Sequence, residues 1–254
     1  MMGLILMLLV GCSVSGNDDF QQGLGALREG DAGSAIVSLS ASIDKGGRHP
    51  AVYHALGNSL YRLDRKGEAA AAWRRGLLLA PRDGDIAANL DHVRGQFRDR
   101  IEPPTSHRGA FFWQSQLAPV ESGAVSSVAM AIACFIALFG RFRRLRGGGF
   151  LSSSAHWVAG VASAIGLLLM VSTADAFFGR QGAVITSKEV DVRSALGPAG
   201  VSLFVLHEGA EVLVEDRTDT HQLVVLSDGR KGWISSTALL STNPAEAFPL
   251  NQQR

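Results

Sequence analysis

Two stretches of the chain, 123–140 and 156–174, contain no Asp, Glu, Lys or Arg and consist almost wholly of apolar and small residues. A helix needs roughly 17 to 25 such residues to cross the hydrocarbon core of a bilayer. A soluble domain built from the rest of a 254-residue chain has no core large enough to surround both. The pattern therefore predicts two membrane spans, 123–140 and 156–178, the second run continuing through Asp175 to Phe178. Arg141, Arg143, Arg144 and Arg146 fall between them, in a stretch 141–155 that has no acidic residue. Such loops are retained in the cytoplasm, which places both flanking parts of the chain on the other side. Gly160-x-x-x-Ala164 in the second run is a small-residue pair that would let it pack closely on the first. In the linker 103–122, Phe111-Phe112-Trp113 suits the membrane–water interface.

The N-terminus agrees with export. Residues 1–10 form an apolar run too short to span and followed by small residues, as in a secretory signal, here assigned to 1–16. Leu9-Val10-Gly11-Cys12 is similar to the box at which bacterial lipoproteins are lipidated, so Cys12 is a candidate acceptor; an ordinary signal peptide is the alternative. Cys12 and Cys134 both sit in apolar runs, and the seven His have no partners at ligand spacing, so neither a disulfide nor a zinc site is expected. The net charge of +1 offers no basic face for nucleic acid.

Between 17 and 102 the chain repeats with a period of 34. In 50–83, Gly57 permits a close helix approach, Leu60 and Tyr61 follow a turn later, Ala69 is a small crossing residue, Trp73 a large apolar knob, and Pro81 stops the second helix. Shifted back by 34, Gly23 falls on Gly57, Arg28 on Arg62, Gly33 on Gly67, Ala35 on Ala69 and Leu39 on Trp73. This spacing resembles the tetratricopeptide (TPR) motif, a pair of antiparallel helices. Ile86, Leu90, Val93 and Phe97 recur at helical spacing in 85–100 and predict a fifth, capping helix. Tyr53 and Trp73 are read as core, Tyr53 with a place on the concave face as the alternative. Arg62, Arg65, Lys66, Glu68, Arg74 and Arg75 are read as solvated helix faces.

From 182 to 242 the periodicity becomes that of strands. Short β-rich runs at 183–185, 190–192, 211–214, 223–226 and 232–234 are separated by turn residues. Asp228-Gly229 is the expected hairpin turn, both residues tolerating positive φ. Asp228-Gly229-Arg230-x-Gly232-Trp233-Ile234 resembles the bacterial SH3 domain, which implies a small closed β-barrel with Trp233 packed in it. Residues 243–254 are left as a tail. The fold class expected is therefore multi-part α plus β: an α-helical TPR array, two transmembrane helices and a small all-β SH3-like barrel.

The order of parts, together with Asn89-Leu90-Asp91 and Asp99-Arg100-Ile101-Glu102-Pro103, resembles the BatE family of Bat aerotolerance proteins over nearly the full chain. That resemblance implies a scaffold in the bacterial inner membrane, with the TPR and SH3-like parts on the periplasmic side. It further implies, as partners, membrane proteins with von Willebrand A domains and other Bat-type proteins. A cell-wall sensor or lipoprotein gripping peptidoglycan through the SH3-like part is the alternative. No phosphate loop, nucleophile elbow or arguable carboxylate pair is present, so neither catalysis nor a cofactor is expected.

Overall fold

Five helices open the chain: α1 (Met2–Glu29), α2 (Ala32–Asp44), α3 (Pro50–Arg62), α4 (Lys66–Leu79) and α5 (Gly84–Arg94). Two long helices follow, α6 (Pro119–Leu145) and α7 (Ser153–Phe178), and then seven strands. The computed structural model describes residues 2–99, 101, 119–146, 153–178, 181–196 and 200–249. The chain divides into two units, Met1–Arg108 with Arg180–Arg254, and Gly109–Gly179.

In the first unit the 34-residue period is visible at the backbone. The turns after α1 and α3 place Gly30 and Asp64, 34 residues apart, at φ of 87° and 58°. Both turns close in the same way. The Asp31 amide donates to Ala26 O at 2.9 Å and the Arg65 amide to Leu60 O at 3.0 Å, satisfying carbonyls a helix end leaves orphaned. Helix starts are capped locally: Asp31 Oδ1 accepts from the Ser34 amide, and Asp83 Oδ1 from the amides of Asp85 and Ile86. Side-chain packing repeats as well. A methyl on Gly57 would stand 2.4 Å from Trp73 Nε1, and one on Gly23 would stand 2.7 Å from Leu39 Cγ. Ala35 and Ala69 are fully buried at the equivalent crossings. Pro81 lies two residues past the end of α4. α5 buries Ile86, Leu90 and Val93, with Phe97 buried just beyond its end.

α1 runs without interruption from Met2 to Glu29. Gly16 lies against Gly47, and Ser42 Oγ donates to Gly16 O at 2.6 Å.

The strands β1 (Gln181–Ile185), β2 (Glu189–Arg193), β3 (Ser202–His207), β4 (Glu211–Arg217), β5 (His221–Val225), β6 (Lys231–Ser235) and β7 (Leu239–Ser241) form one antiparallel sheet in the order β3-β2-β6-β5-β4-β1-β7. All five expected runs fall on strands, the fourth ending one residue early at Val225; β3 and β7 are additional. Among the described residues no pairing joins β3 to β7, so the ladder is open rather than closed. The sheet nevertheless curls round a single core, in which Val192 and Leu206 from one end of the order share a cluster with Ala183 and Leu239 from the other. At the β5–β6 hairpin only Gly229 takes a positive φ, of 86°. Its amide donates to Leu226 O, and the Leu226 amide to Arg230 O. The turn is thus a tight turn followed by a glycine bulge, not one with two left-handed residues; Asp228 instead accepts from the Arg230 amide at 2.9 Å.

In the second unit α6 packs on α7. Ser126 Oγ donates to Gly166 O at 2.8 Å, and a methyl on Gly166 would meet the Met130 side chain at 3.1 Å. The crossing therefore uses Gly166, whereas Gly160 has open space around it and Ala164 is exposed. Among the described residues one helical segment, Glu121–Phe142, is long and apolar enough to cross a membrane; the apolar run of α7, Gly160–Val171, is shorter. This corrects the expectation of two spans to one segment of sufficient length. The arginine cluster is not a loop either: α6 continues through Arg141, Arg143 and Arg144, and Arg146 follows its end, stacked over Phe142 at 4.4 Å. Arginine is a good helix former and a cation is favoured at a helix C-terminus, which accounts for the extension. The aromatics 111–113, the glycines 147–149 and the side chain of Cys12 lie outside the described residues.

Candidate functional site

The first unit contains a seam that the sequence reading did not anticipate. The helical core is not confined to helices: Val184 of β1, Leu240 of β7 and Phe248 of the tail belong to the same buried cluster as Tyr53, Trp73 and Ile86. Two glycines allow the approach. A methyl on Gly67 would stand 2.8 Å from Ile185 O, and one on Gly209 would enter the Phe97 ring at 2.2 Å. Gly209 also adopts a φ of 87°. Within the sheet, Gly232 lets β6 approach β2, since a methyl there would stand 2.5 Å from Val192 Cγ1.

Charged groups hold the seam. The Gly67 amide donates to Glu208 Oε1 at 2.7 Å, and the His207 amide to Asp99 Oδ2 at 2.7 Å, with His207 Nδ1 3.0 Å from the same oxygen. Glu211, buried in the sheet, accepts from Arg94 Nε at 2.7 Å and lies 3.4 Å from Arg74 Nε. Arg75 is fully buried, the largest such side chain. Its Nε donates to Ser241 O at 2.9 Å, Nη1 to Glu246 O at 2.9 Å and Nη2 to Ala247 O at 3.1 Å. The guanidinium lies 4.8 Å from the Phe248 ring centre. Tyr53, also fully buried, donates its hydroxyl to Pro244 O at 3.1 Å. Burial pushes the Tyr53 phenol above its ordinary value, with Arg75 opposing, and burial pulls the Arg75 guanidinium down. The solvated-face reading of Arg75 and Glu68 is corrected here. Glu68 is buried and bidentate with Arg65 at 2.7 and 2.6 Å, because the sheet covers this side of the array.

A second surface lies on the odd-numbered helices. Asn89 Nδ2 is 3.0 Å from His54 Nε2 and donates to Asn58 Oδ1 at 3.1 Å. Gln96 Nε2 donates to Tyr61 OH at 2.8 Å, and Tyr61 OH is 3.2 Å from His92 Nε2. All six side chains are half-exposed or exposed. Thirty-four residues before His54, Asn58 and Tyr61 stand Phe20, Leu24 and Leu27, half-buried on α1. His54 and Asn89 stand 35 residues apart, as do Tyr61 and Gln96, so the period-34 alignment does not pick out this row.

The sheet motif is placed in part. Asp228 and Gly229 form the β5–β6 turn and Ile234 is core, while Trp233 is half-buried and outside the core cluster, paired across the ladder with Leu223 and Arg193. Asp228 is held below the usual carboxylate range by hydrogen bonds from Arg230. On the edge strand β3 and just before it, Val201, Leu203 and Val205 are exposed. Among the described residues no group of three His, Cys, Asp or Glu is arranged to hold a metal ion. The chain matches no family model, no curated protein and no solved structure.

Proposed function

We propose that the chain is a non-catalytic, membrane-anchored scaffold whose helical array docks a protein partner through the face made by α1, α3 and α5. The observation that carries this reading is the row His54, Asn58, Tyr61, Asn89, His92 and Gln96 beside the apolar step Phe20, Leu24 and Leu27. Amides and imidazoles that already bond one another are positioned, yet each keeps capacity for a further bond to a peptide backbone. Apolar side chains alongside supply burial. The repeat at period 34 supports a TPR-type array, whose concave side serves this purpose. On the resemblance to BatE, the partners are membrane proteins with von Willebrand A domains and other Bat-type proteins, met on the periplasmic side of the bacterial inner membrane. Large apolar side chains exposed on α6 and α7, among them Phe135, Leu138, Trp157 and Leu167, support anchoring in lipid. An anchored array meets membrane-bound partners at raised effective concentration, so modest affinity suffices.

The test is co-purification of the full chain carrying Asn58→Ala and Asn89→Ala. Loss of the partner with an unchanged melting temperature is expected; an undiminished complex would overturn the reading. One observation favours the wall-binding alternative through the SH3-like part: the exposed apolar strip Val201, Leu203 and Val205 at the sheet edge. Leu203→Ser with Val205→Ser would then lower sedimentation with isolated peptidoglycan, an effect the docking reading does not produce.

A further inference from the structure

Residues 243–249 end the described chain without joining any helix or strand. They carry their own local structure. The Ala245 amide donates to Asn243 Oδ1 at 2.9 Å, and the Glu246 amide to Asn243 O at 3.2 Å, so Asn-Pro-Ala-Glu is a self-closed turn. Three carbonyls of the segment, those of Pro244, Glu246 and Ala247, go to the helical array: the first to Tyr53, the others to Arg75. Phe248 follows, 4% exposed, beneath the Arg75 guanidinium. This is the anatomy of a bound peptide: a preorganised turn, backbone acceptors read by donors on the receptor, and one aromatic anchor.

We propose that the cleft lined by Tyr53 and Arg75 is a peptide-binding site whose resident ligand is the chain's own C-terminal turn, 243–249, held as a releasable latch. The chemistry favours release as well as capture. Keeping a guanidinium out of water is costly, and carbonyl dipoles repay it only in good geometry. When the turn leaves, Arg75 recovers its hydration and keeps its bond to Ser241 O, which belongs to β7 and stays. The segment that leaves breaks no ladder pairing, because β7 ends at Ser241 and Thr242 remains bonded to Gly182 O. Recognition rests on backbone carbonyls and one ring, so the site takes turn-forming segments with a following Phe rather than one fixed sequence. Closing the latch also ties the array to the sheet, since Glu246 pairs with Arg217 of β4 at 2.9 Å.

The experiment compares the full chain with a chain stopped after Thr242, both in detergent, using a labelled peptide of residues 243–249. The stopped chain is expected to bind the peptide saturably and at least ~10-fold more tightly than the full chain, whose site is filled. Replacing Phe248 by Ala in the peptide, or Arg75 by Ala in the stopped chain, is expected to weaken binding by ~10-fold or more, the worth of a bond to a charged group. Three outcomes overturn the proposal. The stopped chain keeps its helicity and melting temperature but does not bind. It loses its fold and the peptide does not restore it. Or both chains bind equally, which places the peptide elsewhere.

Discussion

Single residues set how closely the helices approach, and two glycines of the array differ in what they predict. At Gly57 a methyl would collide with the Trp73 indole, whereas at Gly25, one turn before the end of α1, it would meet nothing within 4 Å. Overpacking costs about 1–3 kcal/mol, while an unhindered Gly-to-Ala change within a helix gains about 0.5–1 kcal/mol. Gly57→Ala should therefore lower the melting temperature and Gly25→Ala raise it; like shifts from both would mean that close packing does not decide. Tyr53 gives a pH dependence. Its phenol is raised in the fold, so above the ordinary value of about 10 the unfolded chain loses the proton while the folded chain keeps it. Stability from this group is complete below that value and is lost as pH rises through the raised one. Tyr53→Phe should flatten the decline of melting temperature as pH rises above about 10; an identical decline in both proteins would assign it to other groups. Gly57, Trp73 and the repeated Gly23–Leu39 contact were legible because packing between neighbouring helices is written at a fixed offset. Arg75 was not, because its partners lie far along the chain, at Ser241, Glu246 and Ala247.

At the scale of elements, local signals located most boundaries and long-range contacts decided the rest. α3, α4 and α5 follow from Pro50 at a helix start, Pro81 past a helix end and the Asp83 cap. β3 escaped because Leu203 and Val205 are exposed, so apolar residues on that strand do not mark an inward face. The continuation of α6 through the arginines is hidden for a different reason: a charge cluster between two apolar runs resembles a loop, whereas arginine also suits a helix end. The ion pair between α5 and β4 offers an element-level test. Glu211 is nearly buried and Arg94 is about a third exposed. Removing one partner of such a pair leaves a poorly solvated charge, and direct contact makes the two changes non-additive. A double-mutant cycle with Arg94→Ala and Glu211→Ala should give a coupling of about 0.5–3 kcal/mol in unfolding free energy. Additive losses would mean that the array and sheet do not lean on this pair.

Over the whole molecule, the sequence read as a string of independent parts, and the first unit is not built that way. Its helices and sheet share one buried cluster, so deleting either exposes the other's core, and point variants are the sound probe of docking. Composition cannot reveal such a merger, because each part taken alone has its own pattern. The second unit raises the remaining question, whether α7 crosses the bilayer as α6 is long enough to do. Its described apolar run Gly160–Val171 falls short of a span, yet apolar side chains are exposed along it, including Leu167, Leu168 and Met170. Reporter fusions after Ile101, Gly148 and Arg254 separate the arrangements. With two crossings and the arginines held in the cytoplasm, the fusion after Gly148 reports the cytoplasm and the other two report the outside. With α6 alone crossing, the fusions after Gly148 and Arg254 report the same side. The first pattern is expected, because a helix with so much bare apolar surface is poorly solvated in water. The second pattern would leave α6 as the single crossing and overturn the expectation for α7.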